Sequence, residues 1–181
     1  MTSEPQRFLC DASLQRIARW LRAAGHDTLI SNTANVDYAL LRQAIDDDRL
    51  LITRNKLLTE HRRAKDHVIL IDAKTLHNCA RELSQQIKLE WQCRPFSRCL
   101  VCNTPLLITS QQQLPHTTKK IRTVHDSGHY CPNCRQVFWS TGQFKRMRNQ
   151  LRQWHTSFTQ HDDPVQKQPH TPAIEVYARK Y

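Results

Sequence analysis

Two cysteine pairs, Cys99-Leu-Val-Cys102 and Cys131-Pro-Asn-Cys134, carry the strongest chemical signal in this 181-residue chain. Two intervening residues let one turn present both thiolates to a single ion, and two such turns complete a tetrahedral sulfur set. A closed four-thiolate site predicts structural zinc, because no coordination position stays open for a substrate. Redox pairs or buried thiols are the alternative. The 28 residues between the pairs exceed the usual spacing, so one or two extra strands are expected there. His125 and His129 lie close enough in sequence to replace a cysteine but are expected at the surface. Cys10, Cys79 and Cys93 have no partner at metal spacing and read as ordinary buried or semi-buried thiols.

A second set is Asp11, Asp37, Thr53-Arg54-Asn55 and Asp72, which gains meaning only from the elements around it. From about residue 7 to 90, short aliphatic runs alternate with helical patterns: Arg7-Cys10, Leu14-Ala24, Thr28-Ser31, Asp37-Ile45, Leu50-Thr53, a helical stretch from about Lys56, His67-Ile71 and Lys74-Gln86. In the first helix Leu14, Ile17, Ala18 and Leu21 share a face, with Ser13 expected as N-cap and Gly25 as the stop. The strands read as continuous apolar runs, which fits parallel strands covered on both faces. The predicted architecture is a doubly wound α/β parallel sheet.

In that architecture the polar residues all fall just past the carboxyl ends of strands, where open parallel sheets gather their ligands. Three carboxylates and an amide there suit an oxygen-loving Mg²⁺ or Mn²⁺. Each residue also has a simpler reading: Asp37 and Asn55 as helix N-caps, Asp72 as a turn residue. Their coincidence at one edge favours a site. Asp46-Asp47-Asp48 precedes the third strand, at the opposite edge, and reads as a solvated turn.

Charge is uneven. Residues 1–97 hold 15 basic and 12 acidic side chains, whereas residues 98–181 hold 12 basic and 4 acidic, within a total of +11. Such an excess draws polyanions and points to nucleic acid. A helical stretch from about Thr141 to Trp154 puts Lys145, Arg148 and Arg152 on one face and Phe144, Met147, Leu151 and Trp154 on another. Its apolar face is expected to pack on the cysteine module or the α/β domain, leaving the basic face for phosphates or for solvent. Arg16, Arg19 and Arg22 on the first helix add positive charge near Asp11. No apolar run approaches the ~20 residues of a bilayer span, so no membrane partner is expected, and the absence of a GxGxxG or Walker loop argues against a nucleotide cofactor. The N-terminal segment lacks the layout of a secretory signal, and unpaired cysteines suit a reducing, cytoplasmic setting. The division expected is 1–95 for the α/β domain, 96–157 for the ribbon plus basic helix, and 158–181 for a flexible proline-containing tail.

Read together, Arg7-Phe-Leu-Cys-Asp11, the segment Leu14–Gly25, His26-Asp-Thr28, Leu50-Leu-Ile-Thr-Arg-Asn55, Ser97-Arg-Cys-Leu-Val-Cys-Asn103, Cys131-Pro-Asn-Cys134 and Val137-Phe-Trp139 resemble the Mut-seven C-terminal RNase family. In that family a PIN-like α/β domain is fused to a zinc ribbon. The resemblance implies metal-dependent RNA hydrolysis, with Asp11, Asp37 and Asp72 at positions that look like the acidic Mg²⁺/Mn²⁺ site. Thr53 and Arg54 are then expected to orient substrate, Asn55 to assist as a neutral ligand, and Arg16, Arg19, Lys145, Arg148 and Arg152 to grip RNA, with single-stranded RNA favoured. The chain departs from the family pattern twice: Asn55 stands where an aspartate is usual, and Thr141-Gly142-Gln143 where a Gly-Ser-His run is usual. The rival reading is a catalytically degenerate RNA- or ribonucleoprotein-binding platform, and a small-molecule enzyme using the same crevice is a weaker third.

Overall fold

The computed structural model describes residues 4–32, 38–110, 127–138 and 142–159. Its first part is a four-stranded parallel sheet of β1 (Arg7–Cys10), β2 (Asp27–Ile30), β3 (Leu50–Thr53) and β4 (Val68–Leu70), in the order β2-β1-β3-β4. Phe8 pairs with Thr28 on one side and Leu50 on the other, and Ile52 pairs with Ile69. Strand side chains alternate between two cores. Phe8, Cys10, Ile52 and Ile69 meet α1 (Gln15–Ala24) and α3 (Leu76–Gln86), whereas Leu9 and Leu51 meet α2 (Tyr38–Asp46) and the 3-10 turn Lys56–Glu60. Helices on both faces explain the continuous apolar strands and confirm the doubly wound α/β class.

The junction after β1 differs from expectation. Asp11, not Ser13, is the N-cap, and it caps a 3-10 turn (Ala12–Leu14) that precedes α1; Leu14, at the head of α1, offers no side-chain cap. The extra turn leaves Asp11 at the strand end. Gly25 stops α1 as expected, at φ +102°, and a Cβ there would sit 2.4 Å from the Arg94 carbonyl oxygen. That close approach seats the 94–96 linker on α1 through Arg94 N–H to Ala24 O (3.0 Å) and Phe96 N–H to Ala23 O (2.8 Å).

The second part is an antiparallel sheet of β5 (Leu107–Ser110), β6 (Ser127–Tyr130) and β7 (Val137–Phe138). It is followed by α4 (Gly142–Thr159), five residues longer at its C-terminal end than the pattern suggested. Phe144, Leu151 and Trp154 of α4 are buried in the core cluster that also holds Phe8, Ile17 and Leu83. Near its start Phe144 stacks against Phe96 at 3.8 Å and faces His129 of β6 at 6.2 Å. Two turns or more further on, Trp154 meets Trp20 and Trp91, each at 4.8 Å, and its indole N–H donates to His77 Nδ1 at 3.1 Å. The helix therefore packs on both parts. Among the described residues no helix is long and apolar enough to cross a membrane. Asp37 and the 160–181 segment lie outside the described residues.

Candidate active site and metal centre

The four predicted cysteines come together. Cys99, Cys102, Cys131 and Cys134 place their sulfurs within 4.8 Å of one another, with Cys99–Cys134 at 3.5 Å and Cys102–Cys131 at 3.3 Å. A tetrahedron built on ~2.3 Å Zn–S bonds has edges of about 3.8 Å, so the set fits zinc. Both knuckles fold alike. Asn103 N–H donates to Cys99 O and Arg135 N–H to Cys131 O, and these residues take positive φ, 70° and 57°. Burial pushes the Cys99 thiol up to about 12. Burial also acts on Cys102, but hydrogen bonding from Thr104 stabilises its thiolate and brings it down to about 5. His129 stacks on Phe144 and is not in the cluster; His125 lies outside the described residues.

A network fastens the first knuckle to the edge strand β2. Asn103 accepts the Thr28 N–H (3.1 Å) and donates to Asp27 Oδ1 (2.7 Å), which also receives Arg49 (2.9 Å). Arg98 adds an ion pair at 3.4 Å. Although burial opposes it, hydrogen bonding from Arg49 and Asn103 holds the Asp27 carboxyl below its usual value. Arg22 does not join the surface charge near Asp11. It is 4% exposed and donates to Thr28 O (2.8 Å), Leu100 O (3.2 Å) and Val101 O (2.7 Å), so it clamps the knuckle carbonyls.

The second constellation sits where the strand order reverses, between β1 and β3, the usual ligand crevice of such sheets. Asp11, 1% exposed, spans that point: Oδ1 accepts the Ser13 N–H (2.9 Å) and hydroxyl (2.5 Å), and Oδ2 accepts the Arg54 N–H (2.8 Å). Each carboxylate oxygen offers two lone pairs, so one acceptor position remains on Oδ2. Thr53 is fully buried, and its hydroxyl accepts the Asn55 N–H at 3.0 Å. Asn55 caps the 3-10 turn by accepting the Leu57 N–H at 3.1 Å, the simpler role weighed for it.

The Arg54 guanidinium turns from Asp11 toward the β4–α3 loop, donating to Ala73 O at 2.7 Å and lying 3.8 Å from Cys79 Sγ. Asp72 is exposed, and its backbone N–H, with that of Ala73, donates to Glu82 (3.2 and 3.0 Å). Glu82, unremarked in the sequence, thus holds the loop that carries Asp72; its only signal was an acid on the α3 face one core position from Leu83. Ser13, Arg16, Arg54, Lys74, Leu76 and Cys79 line a cleft beside Asp11, giving it a cationic wall. Among the described residues the cysteines alone form a group of three or more metal-ligating atoms; Asp11 and Asp72 do not join one, and Asp37 lies outside those residues. Arg19, Lys145, Arg148 and Arg152 are exposed, and Arg148 lies over the Phe144 ring at 5.0 Å. Cys10 and Cys79 are buried, and burial pushes both thiols up.

Neither a search of curated proteins nor one of solved structures found a match. The family model described as the Mut7-C RNAse domain matches residues 6–151, spanning the parallel sheet, the four cysteines and most of α4. With that match laid over a switch-point carboxylate and a four-sulfur cluster, the chain belongs to the Mut7-C RNase domain family.

Proposed function

We propose that this protein is a Mg²⁺- or Mn²⁺-dependent ribonuclease that hydrolyses RNA phosphodiester bonds at the crevice between β1 and β3. The observation that carries the reading is Asp11, a buried carboxylate fixed across the switch point by three donors with one acceptor position left. That single remaining position suits a hard cation, which binds through one or two carboxylates plus substrate phosphate oxygens. Asp11, Asp37 and Asp72 would hold it, with the Asn55 carbonyl as a neutral fourth donor. When bound, the ion supplies an activated water and stabilises charge on the scissile phosphate.

The chain's own residues do the rest. Arg16 and Lys74 draw the phosphate into the cleft, and Ser13 and the Arg54 backbone keep Asp11 in one orientation. The Arg54 side chain acts as a positioning group, because it ties the end of β3 to the loop bearing Asp72. The ribbon and the outer face of α4 extend the cationic surface along a single-stranded RNA backbone in a cytoplasmic setting. A second reading, a non-catalytic RNA-binding platform, is favoured by Asn55, since an amide removes one negative charge and its oxygen already caps a turn.

The test is cleavage of labelled mixed-sequence RNA by zinc-loaded protein with Mn²⁺, Mg²⁺ or no added divalent ion, for the natural chain and Asn55→Asp. Metal-dependent cutting by the natural chain, strengthened in Asn55→Asp, is expected. Cutting that appears only in Asn55→Asp would establish the platform reading instead.

A further inference from the structure

A second cleft opens on the opposite face of the sheet from α1, between α2 and the residues His61 and Arg63 that follow the 3-10 turn Lys56–Glu60. It encloses about 270 Å³ and is lined by Tyr38, Leu41, Arg42, Ile45, His61 and Arg63. Tyr38 is 58% exposed, and its ring lies 4.8 Å from the His61 ring, centroid to centroid. His61 is half-buried, with Nδ1 accepting the Arg63 N–H at 3.2 Å, which fixes the imidazole plane. Arg42 and Arg63 are exposed, and neither is in a salt bridge among the described residues. A large exposed ring beside exposed guanidiniums has no role in the core: Leu40, Leu41 and Ala44 supply the packing of α2.

We propose that the Tyr38–His61 pair is a stacking platform for one base of single-stranded RNA, with Arg42 and Arg63 holding the adjoining phosphates. Base faces stack on aromatic rings whatever their identity, and guanidiniums bind phosphate oxygens bidentately, so ring and cation together select a nucleotide over an apolar peptide. The volume is too small for a drug-sized ligand but accepts a base. Charge agrees: residues 56–65 contain Lys56, Arg62, Arg63 and Lys65 against Glu60 alone. The placement agrees as well. Asn55 caps the turn at the end facing the crevice, and His61 closes it six residues later, roughly 12 Å away at the ~2 Å rise of a 3-10 turn. An RNA strand held at Asp11 therefore reaches the platform along the same edge. The identity of the polymer rests on the ribonuclease reading; the geometry of the cleft does not.

Equilibrium binding is measured by fluorescence anisotropy with zinc-loaded protein and no other divalent ion, so that cleavage plays no part. The ligands are a labelled mixed-sequence single-stranded RNA and an abasic ribose-phosphate oligomer of equal length. Tyr38→Ala should weaken RNA binding at least about fivefold while leaving the abasic oligomer unaffected, and Tyr38→Phe should bind as the natural chain does. Arg42→Gln and Arg63→Gln should each lower the salt slope by about 0.7. Independently of any variant, 5-iodouridine RNA photocrosslinked to the natural chain should mark peptides containing Tyr38 or His61. RNA affinity within about twofold of the natural chain in folded Tyr38→Ala, or crosslinks confined to other segments, would overturn the platform. RNA binding through Tyr38 in a protein that never cuts would uphold the platform and remove only the nuclease activity.

Discussion

Arg22→Met removes the clamp between the parallel-sheet domain and the first cysteine knuckle, and its cost follows from three bonds. The guanidinium donates to Thr28 O, Leu100 O and Val101 O at 2.8, 3.2 and 2.7 Å. Bonds from a charged donor contribute about 1.5–3 kcal/mol each, but the sum overstates the loss. The knuckle carbonyls regain water, since Val101 is exposed, and methionine spares the desolvation of a buried charge. The Thr28 carbonyl, at a fully buried residue, stays unpaired. A full loss there and a partial one at the knuckle give about 3 kcal/mol. In a chain of this length that lowers the melting temperature by roughly 6–12 °C. Because Leu100 and Val101 lie between Cys99 and Cys102 of the four-sulfur cluster, zinc loaded there should also pass to a colorimetric chelator faster. Calorimetry and zinc release, run on the same zinc-loaded preparation, check both. A melting point within about 2 °C of the natural chain, with unchanged zinc release, would refute the clamp.

Gly25→Ala should cost about 3 kcal/mol or more in urea titrations, because alanine at φ +102° is strained and its Cβ meets the Arg94 carbonyl at 2.4 Å; an unchanged midpoint would contradict the close approach. His26 is 1% exposed, accepts the Gln6 N–H and donates to Glu90 O. Burial lowers its pKa below the ordinary value of 6.5, so the unfolded state takes up protons first and stability should fall as pH drops below about 6.5. The natural chain should therefore show a steeper loss of urea midpoint between pH 7.5 and 5.5 than His26→Gln, whereas equal slopes would count against it. Zinc removal should expose four further thiols to Ellman's reagent and leave the fluorescence of the Trp20–Trp91–Trp154 cluster largely intact; a collapse of both together would show that the two parts fold as one unit.

Much of this was legible in the sequence, for reasons that differ by element. Runs such as Leu50-Leu-Ile signalled strands covered on both faces, and Gly25 signalled a helix end, because both effects are local. The cysteine pairs were legible because coordination fixes spacing. The place of Asp11 at a strand end follows from the apolar run before it, but its donors do not: the Arg54 N–H comes from 43 residues away. In the sequence Arg22 only adds positive charge near Asp11, as a cation on an amphipathic helix, and only the docked ribbon makes it an interior donor. The same holds for Tyr38 and His61, which neighbouring elements bring together across 23 residues. Periodicity reports which face of an element is apolar, but not which polar group the fold will enclose.

Whether RNA is cut at the crevice organised by Asp11 is decided by single-turnover cleavage of a labelled single-stranded RNA by zinc-loaded protein in Mn²⁺. Natural chain and Asp11→Asn are compared at matched RNA occupancy, with circular dichroism confirming that both are folded. The natural chain should cleave, and Asp11→Asn should lose cleavage by a factor on the order of 10² or more while retaining RNA affinity. Cleavage by pure, folded Asp11→Asn at the natural rate would contradict the assignment of the site to Asp11.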